Sequence, residues 1–166
     1  YTYEDGRLRS MFKDSYQQLV IVPSDEEGMD QLVLLTLGDS QSSTAKLVRK
    51  RGTRVAQSSK VDLNGKAREF AQIAYGSLPD GTKALFVDEM VSGGQMATEV
   101  LAIQNGELRN LMQEDEEETN FSATRRDIQV ECMDVDGDAY LEIPTATLMP
   151  GYRERQEGER RDQVTF

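Results

Sequence analysis

Along most of the chain apolar residues alternate with polar ones or run in short apolar stretches, and Gly, Asn, Asp or Pro interrupts both. Such short runs between turn formers mark strands rather than helices, so residues 44–48, 53–61, 84–91 and 98–103 are predicted strands. Residues 66–75, KAREFAQIAY, fit two patterns: Phe70, Ile73 and Ala74 make a helical stripe, whereas Ala71, Ile73 and Tyr75 alternate as a strand. The strand is preferred, with a short helix near 66–75 as the alternative.

Turn chemistry adds a repeat. Residues 1–12, YTYEDGRLRSMF, read as two short strands around Asp5-Gly6, and residues 101–112, LAIQNGELRNLM, repeat the plan around Asn105-Gly106. Asp-Gly and Asn-Gly both supply the positive φ angles of a two-residue hairpin turn. The segments downstream of the two hairpins also align, residues 19–37 with 128–146, which sets Asp25 over Asp134, Glu27 over Asp136 and Gly28 over Gly137. The acidic run 113–120, QEDEEETN, accounts for the growing offset as an inserted, solvated loop, or else a docking patch for a basic partner. Residues 83–103 offer a third version with its turn at Gly93-Gly94, and residues 62–66 a fourth, weaker echo. The expectation is an internal duplication.

Charge narrows the function classes. The formal net charge is -11, with basic residues scattered among acidic ones, so the basic face of a nucleic-acid binder is missing. The absence of histidine removes the commonest acid/base group near neutral pH and the commonest transition-metal ligand. The single cysteine, Cys132, has no partner for an internal disulfide and is expected to be a small buried hydrophobe. No apolar run approaches the roughly 20 residues that span a bilayer, so no direct membrane insertion is expected. The chain opens at Tyr1 without an initiator Met, a basic n-region or an apolar h-region, and any targeting segment is expected to lie outside these residues.

The stretch with the clearest chemistry is residues 133–145, MDVDGDAYLEIPT. It places Asp134, Asp136, Asp138 and Glu142 at loop positions 1, 3, 5 and 9, an oxygen-rich spacing suited to a hard cation such as Ca²⁺. A backbone carbonyl near Tyr140 is the fifth expected ligand. One reading is therefore a Ca²⁺-type loop, in which bound cation offsets the repulsion of four clustered carboxylates. The other is a polar β-turn, because turns recruit Asp and Gly anyway. An EF-hand fits poorly: its positions 6 and 12 would be Ala139 and Thr145, and strands flank the loop. Asp25 and Glu27 form a thinner version, with Met29 and Val33 at positions 5 and 9.

Asp-x-Asp-Gly-Asp-x-x-x-Glu followed by an apolar strand resembles the FG-GAP or VCBS repeat, the blade unit of integrin α-like β-propellers. Asp134, Asp136, Asp138 and Glu142 match its ligand positions, and Ala139 stands where that motif usually has Gly. The wider layout is similar to VCBS-type proteins exported by Gram-positive bacteria, often as lipoproteins. The resemblance implies an all-β, propeller-like set of antiparallel meanders, with a β-sandwich or open β stack as the alternative. It also implies an extracytoplasmic or cell-surface location. Residues 1–150 are expected to form one β-repeat domain, and 151–166 a charged linker or loop that begins a further strand, with the natural chain continuing beyond it.

The expected role is a non-catalytic binding or structural module for a protein or glycan ligand. A carboxylate-based hydrolase such as a glycosidase is the alternative. Its best residues outside the loop are Asp88, Glu89 and Glu99, expected at solvated strand ends, so no catalytic residue is assigned. Tyr1, Tyr3, Phe12, Tyr16, Phe70, Tyr75 and Phe86 are expected in the core, as are the dispersed methionines at 11, 29, 90, 96, 112, 133 and 149.

Overall fold

The computed structural model describes residues 2–10, 12–23, 30–38, 42–51, 54–64, 67–112, 124–148 and 162–165. Within them the architecture is all-β. Strands β1 (Thr2–Glu4) and β2 (Arg7–Arg9) form a small hairpin. Strands β3 (Gln18–Pro23), β4 (Asp30–Leu37), β5 (Ser43–Arg51) and β6 (Arg54–Leu63) then pair in chain order as a four-stranded antiparallel meander. Strands β7 (Glu69–Ser77), β8 (Lys83–Met90), β9 (Met96–Gln104) and β10 (Glu107–Asn110) make a second. Finally β11 (Thr145–Leu148) pairs with β12 (Asp162–Thr165).

The two meanders stack face to face. One apolar cluster draws Val22, Val33, Leu35, Ala45, Leu47 and Leu63 from the first sheet together with Phe70, Leu85, Val87, Leu101 and Leu108 from the second. The second sheet is covered on its other face too. There Ala84, Phe86, Val100 and Cys132 form a further cluster, with Leu141 and Ile143 packed against it. The covering layer is the irregular segment 124–144. That double burial explains why β8 and β9 read as nearly continuous apolar runs: residues 84–89 and 96–102 are all buried. Among the described residues the sheets form an open stack and do not close into a ring.

Of the four strands read outright from the sequence, 44–48 and 98–103 fall inside β5 and β9, while 53–61 and 84–91 match β6 and β8 but for their end residues 53 and 91. The ambiguous segment 66–75 contributes to strand β7, not a helix, and the ambiguity has a cause. The β7–β8 register slips between Phe70 and Gln72, so Ala71 is an extra, bulged residue. Phe70 on one side of the bulge and Ile73 and Tyr75 on the other therefore reach the same core, although their spacing breaks a period of two.

The duplicated hairpin is correct at its turn and wrong beyond it. Asp5 and Gly6 have φ of 52° and 74°, and Asn105 and Gly106 have 52° and 73°, so both turns take the same positive-φ form. Past the hairpins the two segments differ: β3 and β4 pair with each other along six positions, whereas within residues 128–146 the one described pairing of the segment with itself is the isolated bridge Met133–Glu142. The unit that recurs in space is the four-stranded meander, 18–63 and then 69–110. The third version, residues 83–103, lies inside the second meander as β8, a 3-10 turn at Ser92–Gly94, and β9.

Several side chains depart from expectation. Tyr16 and Met133 are exposed rather than core, because each lies outside the paired strands. Phe70, Phe86, Met96 and Cys132 are buried. Asp25, Glu27, Met29, the acidic run 113–120 and residues 151–161 lie outside the described residues, as do the side chains of Tyr1, Tyr3, Met11 and Met149.

Candidate functional site

The 134–142 loop leaves and rejoins the covering segment at one bridge, where Glu142 N donates to Met133 O at 3.0 Å. Its backbone is folded by its own carboxylates. Asp134 Oδ1 accepts from Gly137 N at 2.7 Å and Oδ2 from Ala139 N at 3.0 Å. Asp136 Oδ1 accepts from Asp138 N at 3.2 Å, and Asp138 Oδ1 from Tyr140 N at 2.8 Å. These are Asx-type bonds, in which a short polar side chain substitutes for a backbone turn. They bring one carboxylate oxygen each from Asp134, Asp136 and Asp138 within 4.8 Å of one another, in solvent.

Glu142 does not join that trio; its Oε2 accepts from Val135 N at 2.8 Å and closes the loop from the other side. Tyr140 forms an isolated parallel bridge with Ser77 of β7. Ala139 has φ +71°. A left-handed conformation costs an L-residue with a Cβ about 1–2 kcal/mol, which is the physical reason for glycine at this place in the motif the loop resembles. The trio suits a hard cation: three carboxylates are hard oxygen donors with lone pairs left after their N–H bonds.

Both ends of the loop are tied to the second sheet. Cys132 N donates to Asp88 Oδ2 at 2.9 Å, and Gln72 Nε2 donates to Cys132 O at 3.1 Å. At the other end of the loop Leu141 packs over Gly76, whose lack of a side chain makes room: a Cβ there would come 2.9 Å from Leu141 Cδ1.

Behind the loop lies a polar cluster that sequence reasoning missed. Asp88, Glu89 and Glu99 are at 0% exposure, not at solvated strand ends, and Arg126 at 2% was never singled out. Asp88 and Thr98 face the covering segment. Arg126 Nη2 donates to Asp88 Oδ1 at 3.0 Å, Nη1 to Thr98 Oγ1 at 2.8 Å and to Thr124 O at 3.2 Å, and Nε to Val130 O at 2.9 Å. Thr98 Oγ1 donates to Asp88 Oδ1, and Thr124 Oγ1 to Thr98 O at 2.9 Å. Arg126 also exchanges both backbone bonds with Met96 at 2.9 Å. The Cys132 thiol is pushed up to about 12 by burial and then by the Asp88 charge, so it stays protonated and unreactive.

Glu89 and Glu99 face the other way, into the space between the sheets. Ser43 Oγ of β5 donates to Glu89 Oε1 at 3.5 Å, while Glu89 Oε2 has no hydrogen-bond partner among the described residues. Asn110 Nδ2 donates to Glu99 Oε2. Burial, then the Glu99 charge, push the Glu89 carboxyl up to about 8 against the weaker opposing effect of Ser43. The signal available in the sequence was an acid inside an apolar run, ALFVDEMV and ATEVLAI: a carboxylate in a strand buried on both faces has to find a buried partner or hold its proton.

No protein-family model, curated protein or solved structure matches this chain. Among the described residues no helix is long and apolar enough to cross a membrane.

Proposed function

We propose that the chain is a non-catalytic binding or structural module of the FG-GAP/VCBS kind, whose 134–142 loop takes a Ca²⁺-type cation. In this reading Asp134, Asp136 and Asp138 hold the ion, the Tyr140 carbonyl adds a ligand, and Glu142 joins through a water or a small turn of its side chain. The two stacked meanders are successive blades of a propeller. The module works outside the cytoplasm, as in the exported proteins it resembles, and presents its surface to a protein or glycan partner.

The observation that carries the reading is the gathering of three carboxylates on a loop already folded by their own backbone bonds. Two consecutive meanders of equal strand number support the blades. The rival hydrolase reading lacks an approach route at its best acids, because Glu89 and Glu99 have no accessible surface.

Thermal melting with and without Ca²⁺ tests the site. A ligand at 100 times its Kd stabilises the folded state by about 2.7 kcal/mol, so millimolar Ca²⁺ raises the Tm by several degrees, and Asp136→Ala abolishes the shift. An unchanged Tm in the parent protein overturns the site.

A further inference from the structure

Glu89 and Glu99 project from neighbouring strands onto the same face. The register sets Glu89 opposite Ala97 and Glu99 opposite Val87, so the two are diagonal neighbours across β8 and β9. Diagonal side chains on one face are within mutual reach when long. Their surroundings are the apolar inter-sheet core of Val87, Leu101, Phe70 and Leu63.

The described polar groups that face Glu89 come from three strands. Glu99 on β9 brings like charge, Ser43 on β5 brings one long hydrogen bond, and Asn110 on β10 is engaged with Glu99. No described Lys or Arg forms an ion pair with Glu89; the guanidinium of Arg126 is committed to Asp88 on the opposite face of the sheet. β7 sets Phe70 against Glu89, next to the bulged Ala71.

We propose that Glu89 is a proton-operated latch between the two sheets: neutral, it lets β5 close on β8 at Ser43, and ionised, it parts them at that end. When the proton leaves to solvent, an anion with an unpartnered oxygen is left beside Glu99 in an apolar interface, which is the costly arrangement. The relief nearest to hand is separation at the β7 bulge, where the ladder is already interrupted.

The pH dependence has a definite sign. The folded-state value, about 8, lies above the ordinary 4.5 of a glutamate, so between them the folded protein holds a proton that the unfolded chain has lost. The contribution of Glu89 to stability is fully present below the lower value and is lost as pH rises towards the upper one. Histidine, the ordinary side chain that changes charge between pH 5 and 8, is absent from the sequence.

The test is a carbon-detected NMR titration of the glutamate carboxyls, with urea unfolding from pH 5 to 9 on the parent protein and Glu89→Gln. The latch predicts one carboxyl titrating near 8, assigned to Glu89. The unfolding constant of the parent rises by up to about tenfold per pH unit up to that point, and Glu89→Gln flattens the slope. Above the transition the Phe70 and Ala97 amides, cross-strand neighbours of Glu89, exchange faster than hydroxide catalysis accounts for. Titration of Glu89 among the surface acids, or a Glu89→Gln protein that keeps the slope, overturns the proposal, as do unaccelerated amides above the transition. If Glu89→Gln fails to fold, the titration and exchange of the parent protein decide.

Discussion

Arg126 Nη2 lies 3.0 Å from Asp88 Oδ1 with side-chain exposures of 0% and 1%, so the covering segment is bolted to β8 by an ion pair sealed from water. Breaking one partner leaves the other as an uncompensated buried charge. Arg126→Met is expected to lose about 3–5 kcal/mol of unfolding free energy. The double variant Asp88→Asn with Arg126→Met is expected to recover part of that loss, because no full charge is then stranded. Urea unfolding of the two variants against the parent checks both.

The cation loop carries its own strain at Ala139, with φ +71°. Ala139→Gly is expected to stabilise the protein by up to about 1 kcal/mol, the left-handed cost less the chain entropy that glycine brings. Gly137→Ala is expected to act in the opposite direction: φ is +83° there, and an added Cβ meets nothing within 4 Å, so the loss is purely conformational. Thermal melts of the two variants, run without cation, should move to opposite sides of the parent.

Gly76 tests the packing of the covering layer separately from its ion pair. Gly76→Ala brings a Cβ to 2.9 Å from Leu141 Cδ1, and Leu141 has to move off the sheet. The expected loss is about 1–3 kcal/mol, the usual range for overpacking. Amide exchange after the substitution should rise first around residues 140–143, next to the loop.

Asp14 governs a small acid limb. Its carboxyl is held below the ordinary 3.8 mainly by the side-chain hydrogen bond from Lys46, then by Ser15 N. A depressed value contributes stability above the unfolded pKa, and that contribution is lost as pH falls through the folded one. Lys46→Met is therefore expected to cost under about 1 kcal/mol at pH 7, with the difference from the parent closing as pH drops below the ordinary carboxylate range. Parallel denaturation curves at pH 7 and at acid pH measure it.

The features legible in the residues were those that depend on local chemistry. The Asp5-Gly6 and Asn105-Gly106 turns and strands β5, β6, β8 and β9 arise from turn formers and apolar runs. The convergence of Asp134, Asp136 and Asp138 arises from their spacing, while Glu142, expected with them, closes the loop at Val135 N instead. The features that escaped depend on distant contacts. The Ala71 bulge shifts the alternation of β7 by one residue, which no period can represent. Asp88 and Glu89 look like solvated acids until Arg126, 38 residues from Asp88, is folded over one face of the sheet and Ser43, 46 residues from Glu89, closes on the other. The aligned segments 19–37 and 128–146 share a pattern of Asp and Gly, yet the first folds back on itself as β3 and β4 while the second meets itself at one isolated bridge, so likeness of sequence did not become likeness of pairing.

The cation loop, on which the functional reading stands, is tested most directly by terbium luminescence. Tb³⁺ takes the same hard oxygen sites as Ca²⁺ and emits when a nearby tyrosine absorbs, and Tyr140 is part of this loop. The account predicts saturable emission that Ca²⁺ competes away and that Asp136→Ala or Tyr140→Leu each removes. Emission that is absent, or that survives Asp136→Ala unchanged, contradicts it.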